Sequence, residues 1–227
     1  MAADLIVLKD VTKRFLSGKT EIDAVAQVTL TIPEGSFWVV AGASGSGKTT
    51  LLNLIGGLER PTSGNITVDN RRLDQMNEQA LALFRRRHVG YIFQGNNLIS
   101  SLTALENVEI PLILTQVTNH RDLAAAALTD VGLSDKQHSF PHLLSIGEQQ
   151  RIAIARAMVH APAIVLADEP TANLDSKTGG QILSLLQNLH QNHGRTIIIA
   201  THDPQIISKH EAVIHLADGQ VVQCLAA

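Results

Sequence analysis

One cysteine, one tryptophan and one tyrosine are all that this 227-residue chain carries of those three types, and aromatics make up only 3% of it. The single thiol, Cys224, excludes an intrachain disulfide and points to a reducing, cytosolic setting. Too few rings are present to build a base-stacking nucleic-acid platform. Neither sign of charge dominates: 18 Lys and Arg face 21 Asp and Glu, a net charge of −3. No basic field draws a polyanion, so no nucleic-acid partner is expected. No apolar run approaches the roughly 20 residues that cross a bilayer. The start, Met1-Ala2-Ala3-Asp4, lacks the basic-then-apolar order of a targeting signal. Work at a membrane would therefore need the span of another chain. What is present is 44% hydrophobic residues, mostly aliphatic. That content suits a large core and a parallel sheet between helices.

Along the chain, residues 5–8, 27–32 and 64–69 read as antiparallel strands forming a small sheet around a buried strand at 36–41. From about residue 75 to 160 the apolar spacing turns helical, with Leu81, Leu83 and Phe84, then 123–128 and 152–159, which predicts a helical insertion. Afterwards the α/β alternation resumes: strand 163–167, helix 177–190, strand 196–200, helix 204–209, strand 212–216. Asp203 followed by Pro204 is a helix start. The expected organisation is one domain over 1–227, with an α/β core from about 1–94 and 161–227 and a helical part at about 95–160.

Between the strand at 36–41 and an apolar helix start at 50–55 lies Gly42-Ala43-Ser44-Gly45-Ser46-Gly47-Lys48-Thr49, the spacing of a phosphate-binding loop. Its glycines let backbone N–H groups turn inward, and the helix beginning near Lys48 adds its positive dipole end. Lys48 reaches the β and γ phosphates of a nucleoside triphosphate. The Thr49 hydroxyl is a candidate Mg²⁺ ligand, because this small hard cation takes oxygen donors. Thr50 continues the loop into the helix.

The apolar strand ending in Asp168 and Glu169 delivers two carboxylates to the carboxyl edge of a sheet, where ligands of such folds sit. Asp168 fits the metal shell and Glu169 an attacking water. The next apolar strand ends at Thr201-His202, so His202 can face the same phosphate. Competing structural readings are a solvated acidic turn and a packing histidine. Arg85-Arg86-Arg87 reads as a solvated helix face. The pairs His138/His142 and His190/His193 have ligand-like spacing, but no cysteine cluster supports zinc there.

Leu144-Ser145-Ile146-Gly147-Glu148-Gln149-Gln150-Arg151 resembles the signature segment of the ATP-binding cassette ATPases. It lies between Gln94 and the Asp168-Glu169 strand, as in that family. The resemblance implies a P-loop, RecA-like α/β fold with a small antiparallel β subdomain and a helical subdomain. It places Phe15 at the adenine-stacking position, Gln94 at the loop that senses γ-phosphate and metal, Asn173-Leu174-Asp175 at the D-loop and His202 at the switch histidine. Nucleotide contacts are implied for Ser145, Gly147 and Glu148 with ATP held by a second copy, so the expected partner is the same chain. Finer segments, such as residues 51–58, 61–64, 102–108 and 166–175, are similar to the branch containing LolD, the MacB cassette and FtsE. That branch implies MgATP hydrolysis coupled to a membrane permease, with the chain at the inner face of the membrane. Export, extrusion of a lipoprotein or other extracytoplasmic substrate, and regulation of an extracytoplasmic process stay open, as does a soluble ABC ATPase. Ser145-x-x-Glu148 also fits a capping box, as does Thr103-x-x-Glu106. Two residues depart from the family pattern: Ile146 stands where glycine is usual, and Gly95 follows Gln94.

Overall fold

The computed structural model describes residues 3–18 and 20–225. The part of the start-signal reading that falls on Met1 and Ala2 lies outside the described residues. The chain opens with β1 (Asp4–Ser17), β2 (Thr20–Pro33), β3 (Phe37–Ala41) and α1 (Lys48–Ile55), then β4 (Ser63–Val68) and β5 (Arg71–Arg72). Next come α2 (Glu78–His88), β6 (Val89–Ile92), α3 (Ala104–Leu114), α4 (His120–Asp130) and α5 (Ile146–Met158). The remainder is β7 (Ile164–Asp168), α6 (Ser176–His193), β8 (Thr196–Thr201), α7 (Pro204–Ile207), β9 (Val213–Ala217) and β10 (Gln220–Leu225).

Two sheets result, in orders β2-β1-β4-β5 and β10-β9-β3-β8-β7-β6. The first is antiparallel; the second is parallel except for β10. Two expectations are corrected here. The strands around residues 5–8, 27–32 and 64–69 form their own sheet and do not flank β3. β3 instead pairs with β8 and β9, and its consecutive buried Trp38, Val39, Val40 and Ala41 are the continuous apolar run of a strand covered on both faces. The stretch from 75 to 160 is not wholly helical: Val89–Ile92 forms β6 and pairs in parallel with β7. Its brevity and the arginine-rich helix before it conceal it, but a Cβ on Gly90 would strike the Ala157 carbonyl, so the strand lies tight against α5.

Alternation divides the core. Ile164, Leu166, Ile198 and Ala200 pack with the antiparallel sheet and with α1, whose Leu51, Leu52, Leu54 and Ile55 are fully buried. Val165, Ala167, Ile197 and Ile199 face the other way, onto residues of α3, α4, α5 and α6. β3, β7 and β8 are thereby covered on both faces. Their carboxyl ends, which carry Ala41, Asp168 and Thr201, open side by side because the three strands are parallel and adjacent.

Candidate functional site

The loop after β3 is held open by its own chain. Gly47 caps α1 in the left-handed region at φ 103, and Gly45 has φ 80. Glycine tolerates both without the Cβ penalty. A Cβ on Gly47 would also collide with the Ala24 carbonyl, whereas one on Gly45 would meet nothing within 4 Å. The loop is tied from behind by Gly219, whose N–H donates to Ser46 O at 3.0 Å. Nothing in the sequence marks this brace, because the β9–β10 turn that carries Gly219 is remote from the motif.

Lys48 is 6% exposed and its Nζ donates to Gly42 O at 2.8 Å and Ala43 O at 3.0 Å. The same ammonium lies 3.6 Å from Glu169 Oε1. On the other side His202 Nδ1 stands 2.8 Å from that oxygen. A carboxylate only accepts, so the imidazole proton sits on Nδ1 and is donated to it. Glu169 Oε2 has no protein partner among the described residues. Glu169 itself has φ 48, an uncommon backbone conformation for a side-chain-bearing residue, and its N–H donates to Ala200 O at 2.9 Å. Such strain is held by surrounding structure and clusters at functional positions.

One strand residue earlier, Asp168 accepts from Thr49 Oγ1 at 2.8 Å through Oδ2. Asp168 is 7% exposed and its Oδ1 has no hydrogen-bond partner. Burial pushes its carboxyl above the usual aspartate range, partly opposed by the Thr49 hydrogen bond. An orphaned, buried carboxylate oxygen beside a hydroxyl is an all-oxygen donor set that fits Mg²⁺.

A cavity of ≈ 260 Å³ is lined by Ser44, Gly45, Gly47, Lys48, Thr49 and Thr50 with Ala24, Gln94, Glu169 and His202, and Asp168 lies beneath it through its bond from Thr49. Gly42, Ala43 and Ser46 complete the loop behind it, the first two through their carbonyls on Lys48. Gln94 is exposed, and Asn173 Nδ2 donates to its carbonyl at 3.4 Å. Gly95, in ordinary backbone geometry, follows it. Phe15 lies outside the lining set: it is 40% exposed on β1, with Lys13 Nζ 4.9 Å from its ring centre. Ala24 has no signal in the sequence and enters the site only because β2 passes beside the loop.

Ser145, Gly147 and Glu148 line a different cleft of ≈ 380 Å³, with Arg151, Thr178 and Gln181. Within one chain they do not share the loop's cavity. Ser145 is the N-cap of α5, and both halves of its capping box with Glu148 are made. Gln149 N–H takes Ser145 O. The amides of Ile146 and Gly147 therefore stay without partners among the described residues, at a helix N-terminus that favours anions. The Ile146 side chain is 52% exposed beside them.

The family model described as ABC transporter matches residues 25–172. The macrolide export ATP-binding/permease protein MacB of Hyphomonas neptunium is 44% identical over 224 residues, 98% of this chain and 35% of its own length. The chain thus spans about a third of the MacB relatives it matches. The ABC transporter ATP-binding protein MJ0796 of Methanocaldococcus jannaschii is 43% identical over 223 residues, 96% of this chain and 95% of its own. A solved dimeric, post-hydrolysis structure of MJ0796 bound to ADP and Pi matches with a TM-score of 0.89, 42% identity and coverage of 96% of this chain and 97% of that one. The chain belongs to the ABC transporter family as an ATP-binding cassette.

Proposed function

We propose that the cassette hydrolyses ATP as the motor subunit of a membrane transporter, two copies closing head to tail around two MgATP and driving a permease that exports or extrudes an extracytoplasmic substrate. The observation that carries this reading is the placement of Glu169 Oε1 between His202 Nδ1 and Lys48 Nζ, with Oε2 left for a water. Lys48 and the loop amides bind the phosphates. Thr49 and Asp168 hold Mg²⁺, which when bound supplies positive charge to the transferring phosphoryl group. Glu169 orients the attacking water and takes its proton at Oε2, a general-base contribution of about 10²–10⁴-fold. His202 fixes the carboxylate through Nδ1–H. Gln94, bonded to Asn173 and lining the cavity, relays the state of the γ-phosphate toward the helical part. Phe15 stacks on adenine at the open rim. Ser145, Gly147 and Glu148 meet the nucleotide of the second copy, which agrees with their separation from the loop in one chain.

No helix among the described residues is long and apolar enough to cross a membrane. In this reading the permease supplies the span, and the cassette sits at the inner membrane face. A cleft of ≈ 370 Å³ between core and helical part suits that partner. Arg85, Arg86, Arg156 and His160 line it over Pro111 and Leu114, and no carboxylate does. Arg86 Nε and His160 Nδ1 are buried in it without partners. Only Arg87 of the three-arginine run is fully exposed. A permease helix bearing an acidic residue complements this wall. Arg86→Glu should keep basal ATP hydrolysis but lose copurification of the permease in mild detergent; undiminished copurification would contradict this docking. Recovery of no membrane protein with the wild-type cassette from its native cells would contradict the transporter reading.

A further inference from the structure

Helices α5 and α6 touch at two levels about one turn apart. At the upper level Arg151 Nη2 donates to Gln181 Oε1 at 3.3 Å, while Nη1 donates to Val131 O at 3.2 Å. At the lower level a Cβ placed on Gly147 would lie 2.7 Å from Thr178 Cγ2, closer than packed carbons approach. Thr178 has no freedom to turn that methyl away. Its Oγ1 donates to Asp175 Oδ2 at 2.6 Å, and its N–H donates to Oδ1 of the same carboxylate at 3.0 Å. With one β-substituent pinned, a β-branched side chain has its other substituent pinned as well. Asp175 in turn is the N-cap of α6 and also accepts from Lys177 N–H. The hydrogen bonds from Thr178 hold the Asp175 carboxyl below its ordinary range. A continuous line of contacts thus runs from the Asn173-Leu174-Asp175 segment through Thr178 to Gly147, and so to the two free amides at the start of α5.

We propose that Thr178 is a positioning residue for ATP turnover: its methyl, aimed by Asp175, sets where the start of α5 stands when a second copy presents its nucleotide. The proposal rests on the dimeric reading above. It assigns the need for glycine at position 147 to a neighbour within the same chain. The alternative is that the partner's nucleotide itself needs the room, and the two explanations respond differently to a second substitution.

Four full-length chains decide between them: wild type, Gly147→Ala, Thr178→Ser and the double variant, each assayed for kcat, KM for ATP and ATP-dependent dimer fraction. Serine keeps the hydroxyl bond to Asp175 and removes the methyl that the alanine would strike. Gly147→Ala should lower kcat by about tenfold or more, and Thr178→Ser by about threefold, with KM little changed in both. The double variant should recover to the level of Thr178→Ser. A double variant as slow as Gly147→Ala would overturn the proposal, since the room would then be required by something other than Thr178. Thr178→Val adds an arm that does not depend on folding of the alanine variant: it keeps a methyl but loses the bond that aims it, so kcat should fall. Unchanged kcat in both Thr178 variants would also overturn the proposal. Absence of turnover in the wild-type chain would overturn the hydrolysis reading and this proposal with it, whereas an unrescued double variant beside an active wild type overturns this proposal alone.

Discussion

Glu169→Gln separates the chemical step from everything that prepares it. The amide keeps an oxygen that can accept from His202 Nδ1, now 2.8 Å from Oε1, so the local geometry has no reason to change. What disappears is a group able to take the water's proton. Loss of a positioned general base removes about 10²–10⁴ in rate, equivalent to about 3–5 kcal/mol of transition-state stabilisation. Binding should move the other way. Lys48 Nζ lies 3.6 Å from the native carboxylate, and removing that negative charge leaves no anion among the described residues competing with phosphate for an ammonium otherwise held by the Gly42 and Ala43 carbonyls, so MgATP affinity should hold or improve. The combination traps the ATP-bound dimer. Phosphate release at saturating MgATP gives the rate, equilibrium titration gives the affinity, and sedimentation gives the dimer. A rate within about threefold of wild type would refute the role of Glu169. A loss of affinity as large as the loss of rate would refute the reasoning too, because Glu169 would then be holding nucleotide rather than activating water.

Lys48→Ala should weaken MgATP binding itself, while His202→Ala should slow turnover with affinity largely kept; calorimetric titration beside steady-state rates separates the two, and unchanged ATP affinity in Lys48→Ala would contradict the loop assignment. Ile146→Gly removes a half-exposed branched side chain from beside the free amides of α5 and should raise both turnover and ATP-dependent dimer fraction, provided the gain exceeds the glycine entropy cost of roughly 0.5–1 kcal/mol. A fall in both quantities would show that Ile146 does not restrain the site.

The phosphate loop is legible in the sequence because its function constrains contiguous residues: glycines at fixed offsets, a lysine and a hydroxyl. The strand ends at Asp168 and Thr201 are legible for a related reason, since buried parallel strands leave unbroken aliphatic runs whose first polar residue marks the edge. β6 is not, because four residues after a charged helix carry no period of their own, and its identity comes from pairing with β7. β10 is equally silent; it joins the sheet as an antiparallel edge strand and is mostly exposed. Contacts between distant segments are invisible by nature. Ala24 beside Gly47, Gly219 behind Ser46 and Thr178 against Gly147 each follow from how elements pack, and no local residue pattern encodes them. Phe15 illustrates the converse, a residue singled out by resemblance whose ring does not reach the cavity lining in the single chain.

In the proposed dimer each ATP site is completed by a second copy, because Ser145, Gly147 and Glu148 lie in a cleft apart from the one that Lys48 and Glu169 line. The rate of ATP hydrolysis per chain, measured across a dilution series with sedimentation at each concentration, tests it most directly. The rate per chain should rise from near zero where the cassette is monomeric to a plateau where MgATP drives it to dimer. A constant rate per chain down to concentrations at which only monomer is present would contradict it.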